Sequence, residues 1–190
     1  MRVISGIARN RRLEAPKGLD TRPITDRIKE SLFNIWQFRV EDSRFLDLFS
    51  GSGSVGIEAM SRGAQLTVMV DAGREAVAVI KKNIDNCRLK DIRHEVCKED
   101  VFNAIRRLDG LGYKFDLIYA DPPFTQPELY EPLMQALGSG NLLDENGSLA
   151  IRSEKDLELA EEYGSLVKYR EKTYGLSHMH FYQLGNNTTE

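Results

Sequence analysis

Between Arg44 and Ile151 short apolar runs alternate with segments whose apolar residues recur at helical spacing, and this alternation narrows the possible folds sharply. Phe45-Leu46-Asp47-Leu48 reads as a strand, followed by a glycine-rich turn and a helix through about Ser61. Leu66–Val70 is a second strand, ending at Asp71. Ala76, Val77, Ile80, Ile84 and Cys87 then mark one helix face. A weaker strand at His94–Cys97 precedes Asp100 and a helix through about Leu108. Phe115–Ala120 forms a fourth strand, ending at Asp121. A helix around Leu129–Leu137 stops at Gly138 and Gly140. Ser148–Ile151 is a fifth strand. Repeated strand–helix units imply a parallel sheet covered on both faces.

The ends of the chain depart from the alternation. Residues 2–15 are basic and β-prone and read as a hairpin. Pro16–Pro23 reads as a linker. Thr25 is placed to cap a helix whose apolar face is Ile28, Leu32, Ile35 and Trp36. Leu166–Lys172 and His180–Leu184 are expected to pair as an antiparallel hairpin through Tyr174-Gly175. The expected fold is therefore α/β: a mostly parallel, seven-stranded sheet with an antiparallel last strand and a small N-terminal β-hairpin extension. The expected divisions are a basic extension at 1–20, the main domain at 21–185 and a frayed tail at 186–190.

A chain of 190 residues is long enough for one full core. No apolar run nears the roughly 20 residues that span a bilayer, and the first residues lack the apolar region of a signal peptide. A cytoplasmic monomer with Cys87 and Cys97 as free thiols is expected. The net charge of -3 is unevenly spread. Residues 1–39 hold nine Lys/Arg against four acids, a net of +5, on an otherwise acidic chain. A basic end on an acidic body suits a local anionic partner.

Two segments carry chemistry. Gly51-x-Gly53-x-x-Gly56 matches a dinucleotide fingerprint, with Asp71 twenty residues after Gly51, where an acid meets ribose hydroxyls. A dinucleotide, however, needs the helix N-terminus free for pyrophosphate. Asp47, four residues before Gly51, sets a carboxylate near that point. A carboxylate repels pyrophosphate and attracts an ammonium group. S-adenosylmethionine carries an ammonium and a sulfonium and no phosphate. The second segment is Asp121-Pro122-Pro123-Phe124, at the end of the fourth strand. It offers a carboxylate, two rings that fix φ, and an aromatic face. Such a shelf suits a flat base whose amino group is to be alkylated.

With these residues in place the chain resembles the class I S-adenosylmethionine-dependent methyltransferases, which are Rossmann-like. It is most similar to the RsmD family, which methylates a guanine N2 in 16S ribosomal RNA. The resemblance rests on Thr21 through Asn34, Asp47 through Ala59, Asp121 through Phe124, and Arg170-Glu171-Lys172-Thr173-Tyr174-Gly175. It implies that Asp47, Ser50, Gly51 and Gly53 hold the methionine moiety and that Asp71 with Ala72 meets the ribose. It implies adenine contacts at Asp100 and Val101, and closure over the cofactor by Thr25. Asp121, Pro122, Pro123 and Phe124 would hold the base. Ile24 stands where the family usually has threonine, so no polar role falls there.

Other candidates carry less. Arg9, Arg11, Arg12 and Arg22 are available to grip phosphates, which positions RNA without specifying it. The partner expected is 16S rRNA or the assembling small subunit. His178 and His180 share a strand face, but with no third ligand apparent they read as solvent-facing, and no metal is expected. Two other functions remain open on the residues alone: an NAD-type oxidoreductase and a non-catalytic RNA-binding module. Within methyltransferases, an adenine N6 or a protein glutamine is the alternative target.

Overall fold

The computed structural model describes residues 1–16 and 24–185. Arg22, the Pro16–Pro23 linker beyond residue 16, the expected 20/21 boundary and the 186–190 tail lie outside the described residues. In chain order the elements are α1 (Asp26–Ile35), β1 (Arg44–Leu48), α2 (Ser54–Ser61), β2 (Leu66–Asp71), α3 (Arg74–Asn86), β3 (His94–Lys98) and α4 (Val101–Gly110). They continue with β4 (Phe115–Ala120), a short 3-10 turn (Pro127–Leu129), α5 (Tyr130–Ser139), β5 (Leu143–Glu154), β6 (Glu162–Tyr163), β7 (Leu166–Tyr174) and β8 (Ser177–Leu184).

One eight-stranded sheet runs β3-β2-β1-β4-β5-β8-β7-β6. The first five of these strands pair in parallel. β8 inserts antiparallel between β5 and β7, and β6 pairs antiparallel at the edge. The sheet thus has one strand more than the seven expected. The extra strand is β6, whose two residues are too short to show an alternation.

Strand order reverses at β1: the chain runs outward through β2 and β3, then returns to β4 and β5 on its other side. In open α/β sheets that reversal leaves a crevice at the carboxyl ends of the strands.

Both sheet faces are covered. On one, α4 and α5 pack Leu108, Leu133, Met134 and Leu137 against Leu46, Val68, Ile118 and Leu149. On the other, α1 sets Leu32, Phe33 and Trp36 against Phe45, Leu117, Ala150 and Phe181. Thr25 caps α1, its hydroxyl accepting the Ile28 N–H at 3.3 Å. Trp36 is fully buried and donates its indole N–H to Ser148 Oγ at 3.0 Å.

The N-terminal residues close one antiparallel bridge, Arg2 with Arg12. Val3, Ala8 and Leu13 sink against Ile57, Met60, Ile80 and Ile84 of α2 and α3. A charged pair fastens this segment. Lys29 and Glu58 lie 3.4 Å apart and are almost wholly buried. Glu58 accepts the Ile4 and Ser5 N–H groups at 2.7 and 2.9 Å, and Lys29 donates to the Arg2 carbonyl at 2.6 Å. Burial lowers the Lys29 pKa against the pull of Glu58. Gly6, with φ at +83°, passes so close to α2 that a Cβ would stand 1.8 Å from the Ser61 carbonyl oxygen. The segment therefore reaches the crevice in a fixed position.

Candidate active site

A cleft of about 630 Å³ opens at the strand-order reversal. Its floor comes from the ends of β1, β2, β4 and β5, through Asp47, Asp71, Asp121 and Arg152. Met1, Ala15, Pro16 and Ile24 also line the cleft, as do Pro122 to Gln126.

The glycine turn is built around two carboxylates. Gly51 and Gly53 take φ of +55° and +74°, and Phe49 between them and β1 takes +60°. Asp71 splints the turn from β2: one oxygen accepts the Gly51 N–H and the other the Gly73 N–H, each at 2.8 Å. Ser50 Oγ donates to the Asp47 carbonyl at 2.8 Å. Gly56 serves a packing need, since a Cβ there would stand 2.6 Å from Met69 Cγ. The missing side chain lets α2 sit on β2 and lets the Gly56 N–H reach Asp47 Oδ2 at 2.9 Å.

Asp47 is buried to 1% exposure. Burial pushes its pKa up to about 8, Asp121 and Asp71 add to the rise, and the Gly56 N–H opposes it. A carboxyl held this way ionises readily only when a cation arrives. The cleft thus gathers four acids, Asp47, Asp71, Asp121 and Glu154, with Arg152 as the basic residue in its lining. That balance fits a cationic ligand and works against pyrophosphate.

Asp121 is clamped at both oxygens. Arg152 Nε donates to Oδ1 at 2.8 Å, and the Tyr119 hydroxyl donates to Oδ2 at 3.2 Å. Burial raises the Asp121 pKa, while the Arg152 charge is the main opposing influence. Burial also holds Tyr119 well above its ordinary value, so it stays a donor. The Tyr130 hydroxyl lies 3.2 Å from the Pro122 carbonyl and 3.0 Å from that of Arg152 and shares its proton between them. Arg152 also stands over the Phe124 ring, its guanidinium carbon 5.0 Å from the centroid. One side chain therefore orients both the acid and the ring of the shelf.

Of the residues singled out in the sequence, Asp47, Ser50, Gly51, Asp71 and Asp121 through Phe124 all line this one cleft. Gly53 lies beneath it as the N-cap of α2, against Ile80. Thr25 and Ala72 are chain neighbours of the lining residues Ile24 and Asp71 but are not themselves in the lining, and the Thr25 hydroxyl is used in capping α1. Asp100 caps α4, its Oδ1 accepting the Phe102 and Asn103 N–H groups, and Val101 is buried behind it. Arg9, Arg11 and Arg12 are exposed on the N-terminal segment. The expectation for the histidines is corrected. His180 is 1% exposed rather than solvent-facing, and Glu171 of β7 faces both rings as a third group. Burial, with His178 and Lys168 nearby, lowers the His180 pKa to about 3.

Arg152, Tyr119 and Tyr130 belong to no sequence motif. Arg152 carried a signal: it follows Leu149-Ala150-Ile151 in a buried strand. A charge in such a run needs a partner at hand.

A family model described as "Conserved hypothetical protein 95" matches residues 1–183. The chain belongs to this family. Its resemblance to the RsmD methyltransferases is borne out by relatives along nearly the whole length. YlbH of Bacillus subtilis (strain 168) is 36% identical over 184 residues, covering 96% of this chain and 98% of that protein. The Ribosomal RNA small subunit methyltransferase D of Haemophilus influenzae is 32% identical over 184 residues, covering 96% and 93%. The solved structure of yhhF from Escherichia coli superposes with a TM-score of 0.83 at 29% identity, over 97% of each chain. The Rossmann-like methyltransferase fold expected from the motifs is the fold observed.

Proposed function

We propose that this chain transfers a methyl group from S-adenosylmethionine to the exocyclic amino nitrogen of a guanine in small-subunit ribosomal RNA. One observation carries the reading: the acid-lined glycine turn and the clamped Asp121 shelf open into the same cleft. A donor held at the first would face a base held at the second.

Bound S-adenosylmethionine supplies an electrophilic methyl group on a sulfonium. Asp47, Ser50, Gly51 and Gly53 would hold its methionine end, with the Asp47 carboxyl surrendering its proton to face the ammonium. Asp71 and Ala72 would meet the ribose. The Asp71 oxygens already brace the turn, and each keeps a lone pair for a hydroxyl. Asp100, with Val101, would accept from the adenine amino group through the oxygen not used in capping. Thr25 would close the wall beside Ile24.

A guanine amino nitrogen is a weak nucleophile, because its lone pair is spread into the ring. Asp121 and the Pro122 carbonyl would accept its two N–H groups and favour a pyramidal nitrogen. The carboxylate makes a bond roughly twice as strong as a neutral acceptor does. Asp121 would stabilise the positive charge that develops on that nitrogen as its bond to the methyl carbon replaces the carbon–sulfur bond, and the surplus proton would pass to solvent after transfer. Phe124, steadied by Arg152, would stack on the base once it is drawn from its helix or loop. Exposed Arg9, Arg11 and Arg12, with Arg22, would hold the RNA backbone.

The test is methyl transfer from labelled S-adenosylmethionine to purified small-subunit RNA or particles by wild type and Asp121→Ala. The wild type should label N2 of guanine, and the variant should bind the cofactor without turnover. Undiminished turnover by the variant contradicts the assignment.

A further inference from the structure

β8 places His178 and His180 on one face, as a two-residue period requires. A bulge in β7 between Lys168 and Arg170 shifts the register, so that Glu171 rather than Arg170 stands opposite His180. Glu171 Oε2 then lies 3.7 Å from His178 Nε2 and 3.9 Å from His180 Nδ1. The two rings stack with centroids 4.2 Å apart.

The hydrogen bonds of Ser153 behind His180 favour one tautomer of the ring. Ser153 Oγ donates to the Glu154 carbonyl at 3.0 Å and lies 3.1 Å from His180 Nε2. A hydroxyl has one proton, so Ser153 must accept at its other side. The ring proton therefore sits on Nε2, leaving Nδ1 a bare lone pair. That atom is buried and has no hydrogen-bond partner among the described residues. An orphaned buried acceptor is destabilising until a partner reaches it.

We propose that Glu171, His178 and His180 form a site for a late first-row divalent cation, Zn²⁺ foremost, with water as the fourth ligand. Two imidazoles and one carboxylate are a zinc-type donor set, whereas Mg²⁺ and Ca²⁺ want oxygen. A tetrahedron with bonds of about 2.0–2.1 Å puts neighbouring ligands about 3.3 Å apart. The two gaps to Glu171 Oε2 close to that by roughly half an ångström each through a glutamate rotamer; the three ligand atoms lie within 4.8 Å of one another, and the stacked rings must turn about their side-chain torsions to bring both nitrogens onto one ion. Ser153 supplies the outer hydrogen bond that aims Nδ1 at the metal. Lys168 is the competitor, its ammonium 3.7 Å from the same Glu171 oxygen. It keeps two other anchors when that contact yields, the Leu159 carbonyl at 2.8 Å and Glu161 at 2.9 Å. None of the three ligands lines the cleft, so the site is independent of the methyl-transfer reading. A metal there would pin β7 to β8 and, through Ser153, to the strand that carries Arg152.

The experiment titrates the full, chelator-stripped chain with Zn²⁺ alone against a chromophoric chelator. Glu171→Gln and His178→Gln are run beside it, with folding checked by circular dichroism. One equivalent should bind wild type, each variant should bind at least about 10-fold more weakly, and Zn²⁺ should raise Tm in wild type only. No uptake by wild type, or equal affinity in wild type and both folded variants, overturns the proposal.

Discussion

Arg152→Met is the substitution that most sharply tests how the shelf works. Methionine keeps much of the volume of the side chain and removes the charge 2.8 Å from Asp121 Oδ1. Both groups are largely buried, with side chains 5% and 16% exposed, so solvent does little to screen the pair. The Arg152 charge is the main influence opposing the burial that lifts the Asp121 pKa, so its loss should raise that pKa further and shrink the ionised fraction near neutral pH. Removing one partner of a buried pair costs about 3–5 kcal/mol, so the variant should also melt at a lower temperature. The active form is the carboxylate, so the acid limb of the kcat profile should move to higher pH in the variant, and raising pH should restore part of the rate. Cofactor binding, read by calorimetry, should change little, because Arg152 serves the base side of the cleft. A single-turnover pH series on wild type and Arg152→Met measures this directly. A variant with an unshifted acid limb would refute the idea that Arg152 keeps Asp121 ionised.

Further outcomes concern the cofactor side. Asp47 has its folded pKa raised to about 8, so the folded state holds a proton that the unfolded state releases from the ordinary carboxylate range upward. Its contribution to stability is therefore present at acid pH and lost as pH climbs to about 8. Asp47→Asn should flatten that part of the Tm–pH curve and weaken cofactor binding; parallel Tm–pH curves would contradict the buried-carboxyl reading. Gly56→Ala forces a Cβ to 2.6 Å from Met69 Cγ and should cost about 1–3 kcal/mol, seen as a lower midpoint in urea. An unchanged midpoint would show that α2 is free to shift away from β2.

Much of the fold was legible because burial on both faces writes itself into parallel strands as continuous apolar runs. β1, β2, β4 and the helices between them follow from that pattern and from the turn residues. β6 was not legible, because two residues carry no period. The glycine turn and the Asp121 shelf were legible as local motifs, each continuous in sequence. Arg152 reaches the shelf because β5 lies beside β4, with Ile151 opposite Ala120, a pairing that no local pattern encodes. The Glu171–histidine group was hidden more deeply. It depends on the hairpin register and on a bulge that changes which β7 residue meets His180. Histidines two apart on a strand looked exposed because nothing in the sequence shows that β8 is an inner strand.

Methylation of a guanine amino group in small-subunit rRNA is read out by mass spectrometry of nucleosides from that RNA, in cells with the protein, without it, and carrying Asp121→Ala. The expected result is a guanosine N2-methyl mark that is lost with the protein and not restored by the variant. An unchanged level of N2-methylguanosine in cells without the protein would contradict the account.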